Sequence, residues 1–138
     1  MTNRTTLRVR YPEVDRMGVA YHAHYFVWFE MARTEWMREA GRSYRELEDE
    51  DGVAFPVVRA GARYRASAHY DEKLEVTARL ESIGASRIRF EYELRRLGDP
   101  DRVLATGFTE HATVGRNGRP IRMPDDLYRR LSEKEMAT

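Results

Sequence analysis

The amino-acid sequence predicts an α+β domain in which one antiparallel sheet curls around one long central helix. Three observations predict it. Residues from Ala23 to Ala40 carry aromatic and apolar side chains at helical spacing, and several other segments alternate with the two-residue period of a strand. Four of those strands follow the helix through connections too short for a parallel crossover, so neighbours must run antiparallel. The 138 residues fit one domain spanning 1–138, with no linker, internal repeat or low-complexity tract.

The elements follow in order. Thr6 to Tyr11 alternates, with Leu7, Val9 and Tyr11 on one face and Arg8 and Arg10 on the other, and Pro12 ends this short strand. Glu13 to Ala20 is irregular. The helix from Ala23 places Tyr25, Phe29, Ala32, Trp36 and Ala40 on one stripe, and Gly41 is its expected stop. Phe26, Val27, Trp28 and Met31 make its first half apolar nearly all round, which predicts burial on most faces. Ser43 to Glu50 reads as a short exposed helix, with Ser43 and Glu46 as a capping box and Gly52 closing it.

Val57 to Ala66 sets Val58, Ala60, Ala62 and Tyr64 against Arg59, Arg63 and Arg65. Leu74, Val76, Ala78 and Leu80 form the inner face of the next strand, and Ile88, Phe90, Tyr92 and Leu94 that of the cleanest one. Val103 to Val114 is a fifth strand of mixed pattern. Gly84, Gly98-Asp99-Pro100-Asp101 and Asn117-Gly118 supply the turns. Pro124-Asp125-Asp126-Leu127 opens a terminal helix with acids in its first turn, where they complement the dipole.

Composition narrows the function. Lys and Arg number 24 against 23 Asp and Glu, a net charge of +1, which argues against a dedicated nucleic-acid binder. Only Lys73 and Lys134 among the basic residues are Lys. Arg at alternate positions opposite Glu75, Glu81, Glu91 and Glu93 predicts cross-strand ion pairs, leaving a few Arg free for a charged ligand. No cysteine means no disulfide, thiol nucleophile or zinc–thiolate site. No apolar run is long enough to span a membrane, and Met1 to Thr6 lacks the apolar core of a secretory signal, so a cytoplasmic location is expected.

Tyr11 to Tyr25 is the segment that does not read as scaffold. It puts Asp15, Gly18, Tyr21, His22, His24 and Tyr25 just ahead of a buried helix, whose N-terminus offers unsatisfied N–H groups and partial positive charge. Such an end can hold an oxyanion, and an Asp across the same pocket can act as nucleophile or general base. Asp15 can equally cap a turn or pair with Arg16. Two His at i, i+2 do not suit a helical metal site. Glu30 has Arg33 at i+3 for a simple ion pair.

The run Asp15-x-x-Gly18-x-x-Tyr21-His22-x-x-Tyr25, continuing into Phe29-Glu30-Met31-Ala32-Arg33-Thr34-Glu35, resembles the signature of hotdog-fold acyl-CoA thioesterases, closest to the 4-hydroxybenzoyl-CoA thioesterase/YbgC-like branch. Phe55-Pro56-Val57-Val58, Tyr70 to Leu74 and Pro120 to Pro124 are similar to further blocks of that family, so the resemblance covers most of the chain. It implies a hotdog fold, with a five- to six-stranded sheet around the helix, and hydrolysis of an acyl-CoA to carboxylic acid and CoA without metal or cofactor. Asp15 matches the catalytic aspartate and His22 the helix-start position whose N–H points at the thioester carbonyl. Gly18, Tyr21, Tyr25 and Glu30 match positions around the substrate. The family works as homodimers or homotetramers with active sites at the subunit interface, which suits a sheet with open edges.

Two departures stand out. His24 replaces the Asn usual two residues after the helix-start position. The basic cluster with which the 4-hydroxybenzoyl branch grips CoA phosphates near the Gly84–Ser86 turn is not matched, so that substrate is not supported and phosphate contacts fall among Arg59, Arg63, Arg87 and Arg89. Two alternatives accompany the hydrolase reading. A hotdog dehydratase expects a His–Glu pair with its His in a His-Phe-Pro type loop, which is missing before the helix; a non-catalytic acyl-CoA or acyl-carrier binding module needs no Asp15 chemistry.

Overall fold

The structure is a computed structural model describing residues 1–135. Five strands form one antiparallel sheet: β1 (Thr2–Arg8), β2 (Val57–Tyr64), β3 (Lys73–Ile83), β4 (Arg87–Arg96) and β5 (Val103–Ala112), in the order β1-β3-β4-β5-β2. Helix α1 (His24–Glu39) lies against the inner face, and a single turn, α2 (Tyr44–Glu46), continues into a wider π-type turn over Leu47–Asp51. Helix α3 (Asp125–Ser132) closes one end with Leu127 and Leu131 buried. The hotdog arrangement expected from the sequence is this one: a sheet wrapped around one long helix.

Period-2 patterning places the core. Leu74, Val76, Ala78 and Leu80 of β3 and Ile88, Phe90, Tyr92 and Leu94 of β4 are buried, as their alternation predicts. Tyr25, Phe29, Ala32, Trp36 and Ala40 meet them from the helix side. Phe29 stacks on Tyr92 with centroids 4.7 Å apart, and Trp36 meets Phe90 edge-on at 5.1 Å. Gly107 pairs with Tyr92 across the β4–β5 ladder, and a Cβ there would collide with the Phe29 ring. Ser43 and Glu46 form the expected capping box, and Gly52 closes the π-type turn at φ +68°.

Five expectations are corrected. The first strand is Thr2–Arg8, not Thr6–Tyr11. Its polar stretch is held by the ladder to β3, from Thr2 opposite Arg79 to Arg8 opposite Lys73, and Tyr11 lies outside it, 77% exposed in a 3-10 turn with Pro12. Helix α1 is not buried on most faces: Val27 and Met31 are 44% and 43% exposed, because one sheet covers only one side. Arg33 does not pair with Glu30; it turns inward and donates to the Tyr92 hydroxyl, 3.2 Å away. Strand β2 also stops at Tyr64 rather than Ala66, and β5 at Ala112 rather than Val114.

Candidate active site

After β1 the chain makes its 3-10 turn and enters a narrow loop. Val14 bridges Ala20, the Asp15 N–H donates to the Val19 carbonyl at 2.9 Å, and the Gly18 N–H donates to the Asp15 carbonyl at 3.0 Å. Gly18 sits at φ +75°, a conformation that side-chain-bearing residues rarely adopt, so the tight turn needs it. Asp15 does cap this turn, its Oδ1 accepting from Met17 N–H at 2.8 Å and Val19 N–H at 3.2 Å. No ion pair joins it to Arg16. The cap uses one oxygen only, and Oδ2 has no partner among the described residues. Asp15 is thus held in one orientation with a free carboxylate oxygen on an exposed loop.

The start of α1 presents the complementary half. The N–H groups of His24 and Tyr25 close onto the carbonyls of Tyr21 and His22 at 3.0 and 3.3 Å, while the N–H groups of His22 and Ala23 donate to no atom of the described residues. Helix ends leave such donors over, and here no side chain caps them. The Tyr64 hydroxyl, from the end of β2, donates to the His22 carbonyl at 2.9 Å, and its ring meets Tyr25 edge-on at 4.8 Å. Edge strand and helix start are thereby tied together.

Loop and helix are tied by Glu13. Its backbone carbonyl accepts from Tyr21 N–H at 2.9 Å, and its buried carboxylate accepts from Trp28 Nε1 at 3.0 Å and Arg10 N–H at 2.8 Å. Burial pushes the Glu13 carboxyl up, but these hydrogen bonds and the Arg10 charge outweigh it and hold the group below the usual carboxylate range. The position of Asp15 relative to the helix start therefore runs through Glu13. A groove lined by Tyr11, Val14, Asp15, Gly18 and Tyr70 opens beside the loop, and Tyr11, Met17, Tyr21 and Tyr70 leave large apolar surfaces exposed around it.

The structure gathers some of the sequence candidates and disperses others. Asp15, Gly18, Tyr21 and His22 share the loop and helix start. Tyr25 is beside them but buried, its hydroxyl accepting the Ala68 N–H at 3.2 Å, so its side chain supports the site from within. Glu30 lies further along α1, exposed. Arg59 and Arg89 both bind Glu110, at 3.2 and 2.7 Å, and both sit over the Phe108 ring. Arg63 and Arg87 have no carboxylate partner among the described residues, but they stand opposite Thr106 and Ala112, about 20 Å apart along the sheet at strand rise. The chain does not bring Arg63 and Arg87 to a single phosphate. Glu13, Tyr64 and Tyr70 are not among the residues the sequence singles out for the site. Only proximity in sequence to Asp15 could have flagged Glu13, and Tyr64 and Tyr70 arrive by the folding of β2 and the β2–β3 connection.

A model of the thioesterase-like superfamily matches residues 9–131, and the chain belongs to that superfamily. It is similar to the acyl-CoA thioester hydrolase YbgC of Escherichia coli O6:H1, 37% identical over 87 residues, 63% of this chain and 64% of that protein, so the chain spans just under two thirds of that relative's length. Among solved structures, a hypothetical protein of Thermus thermophilus is 38% identical at a TM-score of 0.90, covering 99% of this chain and 100% of its own. The DHNA-CoA thioesterase of Staphylococcus aureus is 31% identical at 0.87, covering 96% and 89%.

Proposed function

We propose that this protein hydrolyses acyl-CoA thioesters. The observation that carries the reading is the pairing of a carboxylate fixed by its turn, with Oδ2 free, and two unpartnered amides at the start of α1, joined through Glu13. In the simplest route Asp15 takes a proton from water as the oxygen attacks the thioester carbonyl. The His22 and Ala23 N–H groups receive the developing oxyanion, and collapse of the intermediate expels CoA thiolate, which is then protonated. Attack by Asp15 itself, through a mixed anhydride that water cleaves, uses the same oxygen. The relatives named as thioester hydrolases support hydrolysis over hydration chemistry, as does the missing His-Phe-Pro type loop.

The reading includes a homodimer or a pair of dimers. Strand β2 is an open edge whose residues are exposed or half-buried, with Val57, Val58 and Tyr64 between 42% and 48% exposed. A partner laid along β2 would cover these residues and bring a second sheet to the helix start. Arg63 and Arg65 flank Tyr64 and carry no ion pair among the described residues, and neither does Arg16 beside Asp15, which makes these three candidate cations for CoA phosphates. No helix among the described residues is long and apolar enough to cross a membrane.

Asp15→Asn is the direct test, following free thiol release from short-chain, long-chain and aromatic acyl-CoA. A positioned acid–base group contributes about 10²–10⁴-fold in rate, so turnover should drop by at least about a hundredfold in a folded variant. Undiminished turnover overturns the assignment.

A further inference from the structure

The loop that holds Asp15 and the start of α1 both rest on one irregular stretch, the connection from β2 to β3. On the loop side, Tyr70 N–H donates to the Gly18 carbonyl at 2.9 Å, Val19 bridges His69, and Ala20 N–H donates to the Ala68 carbonyl at 2.9 Å. On the helix side, the N–H of the same Ala68, which is fully buried, donates to the Tyr25 hydroxyl at 3.2 Å. Val19 N–H is in turn one of the two donors that orient the Asp15 carboxylate. Where residues 67–70 lie therefore sets where Asp15 lies relative to the amides of His22 and Ala23.

That stretch has no strand ladder, and side chains pin it. Glu72 Oε1 accepts from His69 N–H at 2.6 Å, and Glu72 N–H donates to the His69 carbonyl at 3.2 Å, so the turn over 69–72 is closed from both ends. Glu72 Oε2 accepts from Arg96 Nε at the end of β4, and Arg96 Nη2 donates to the Ser67 carbonyl at 2.9 Å. One guanidinium thus grips both ends of 67–72. Inside the turn Asp71 sits at φ +69°, the one positive φ outside glycine among the described residues, and such a conformation persists only where its surroundings over-determine it. Arg8 supports it from β1, donating to the Asp71 carbonyl at 2.7 Å, and Glu72 supports it from the other side. Burial pushes the Glu72 carboxyl up, but the Arg96 and His69 hydrogen bonds outweigh it and hold the group below the usual carboxylate range, so the pair is ionised at neutral pH.

We propose that Glu72 and Arg96 are a positioning pair for Asp15, fixing the 67–72 segment against which the carboxylate loop and the helix amides are both set. What that spacing accomplishes rests on the thioester-hydrolase reading. The two side chains are 24% and 25% exposed, and a partly exposed pair adds little to global stability. Its loss should release the segment and leave the chain folded.

The test uses the full chain with Glu72→Gln, which keeps an acceptor for His69 N–H but gives up the charge, and Arg96→Met, which removes both grips. Misplacement of reacting groups by a fraction of an ångström to an ångström is costly, so kcat for acyl-CoA should fall about tenfold or more in Arg96→Met and several-fold in Glu72→Gln, with KM within about threefold of native. The double variant should be no worse than Arg96→Met, because the two side chains act as one unit; losses that multiply overturn the pairing. In hydrogen exchange the Ala20 and Ala68 amides should lose protection while those of Phe90 and Tyr92 in β4 keep theirs. Turnover within about twofold of native in both folded variants overturns the proposal, and so does protection lost equally at all four amides, which marks a loosening of the whole fold. If Arg96→Met fails to fold, Glu72→Gln decides by the same two readouts. Native protein that hydrolyses no acyl-CoA removes the hydrolase reading and leaves exchange to judge the pair: local loss at Ala20 and Ala68 keeps it, and unchanged protection removes it.

Discussion

Glu13 shows how far the geometry of the candidate site rests on one buried carboxylate. Its carboxylate is 4% exposed and accepts from Trp28 and Arg10, while its carbonyl anchors Tyr21. Hydrogen bonds to a buried charged group contribute about 1.5–3 kcal/mol, so Glu13→Ala should lower unfolding free energy by about that amount in urea titration and reduce kcat by more than it raises KM. The sign of the pH effect follows from the lowered carboxyl. Above the ordinary carboxylate range the folded and unfolded states are both ionised and the stabilisation is complete. As pH falls through that range the unfolded chain takes up the proton first, and the contribution is lost. The stability difference between native protein and Glu13→Gln should therefore shrink on acidification below about pH 4.5. A difference that grows there would contradict the assignment. At this scale the sequence was only partly informative. It marked Asp15, Gly18 and His22, because their spacing ahead of a helix is visible in one dimension. It did not mark Glu13, whose bond to Trp28 exists only once the loop has folded onto the helix.

The elements divide according to how many of their faces the sequence pattern describes. Strand β4 is buried on one face and solvated on the other, and its alternation named its inner residues correctly. The predicted ion pairing on the outer face is also present: Arg79 and Arg95 share Glu93, and Arg89 joins Glu110, Glu81 and Glu91. β1 carries Thr-Asn-Arg-Thr-Thr, a run with little apolar alternation, and is a strand because β3 supplies the ladder. β5 has a mixed pattern because its inner face carries Thr109 and His111, whose polar atoms bond to the Tyr92 hydroxyl, to each other and to the Phe55 carbonyl. Its Gly107 leaves room for Phe29 against Tyr92. Gly107→Ala should destabilise by about 1–3 kcal/mol, the usual cost of overpacking a core, read from the denaturant midpoint. An unchanged midpoint would mean that the Phe29 ring can move aside freely.

At the scale of the whole molecule, one chain leaves several apolar side chains uncovered. Val57, Val58 and Tyr64 on the β2 edge, Val27 and Met31 on α1, and Tyr11, Met17, Tyr21 and Tyr70 around Asp15 are all exposed. Val58→Asp places a charge on the β2 edge without touching Asp15 or the helix amides. It should shift the protein from dimer or larger assembly to monomer in light scattering and cut turnover at least tenfold. A native protein that is already monomeric and active would remove the paired-edge reading.

The sequence by itself determined the fold class, the position of the central helix, the faces of β3 and β4 and the loop that holds Asp15. All of these depend on local periodicity, on turn residues and on the spacing of a short motif, which are properties of neighbours along the chain. Tertiary structure alone decided that Arg33 turns into the core rather than toward Glu30, that Glu13 clamps the loop, and that Arg59 and Arg89 bind Glu110 while Arg63 has no carboxylate partner among the described residues. Each is a competition for partners between segments far apart in sequence, and its outcome depends on which groups the folded chain desolvates and which it leaves in water.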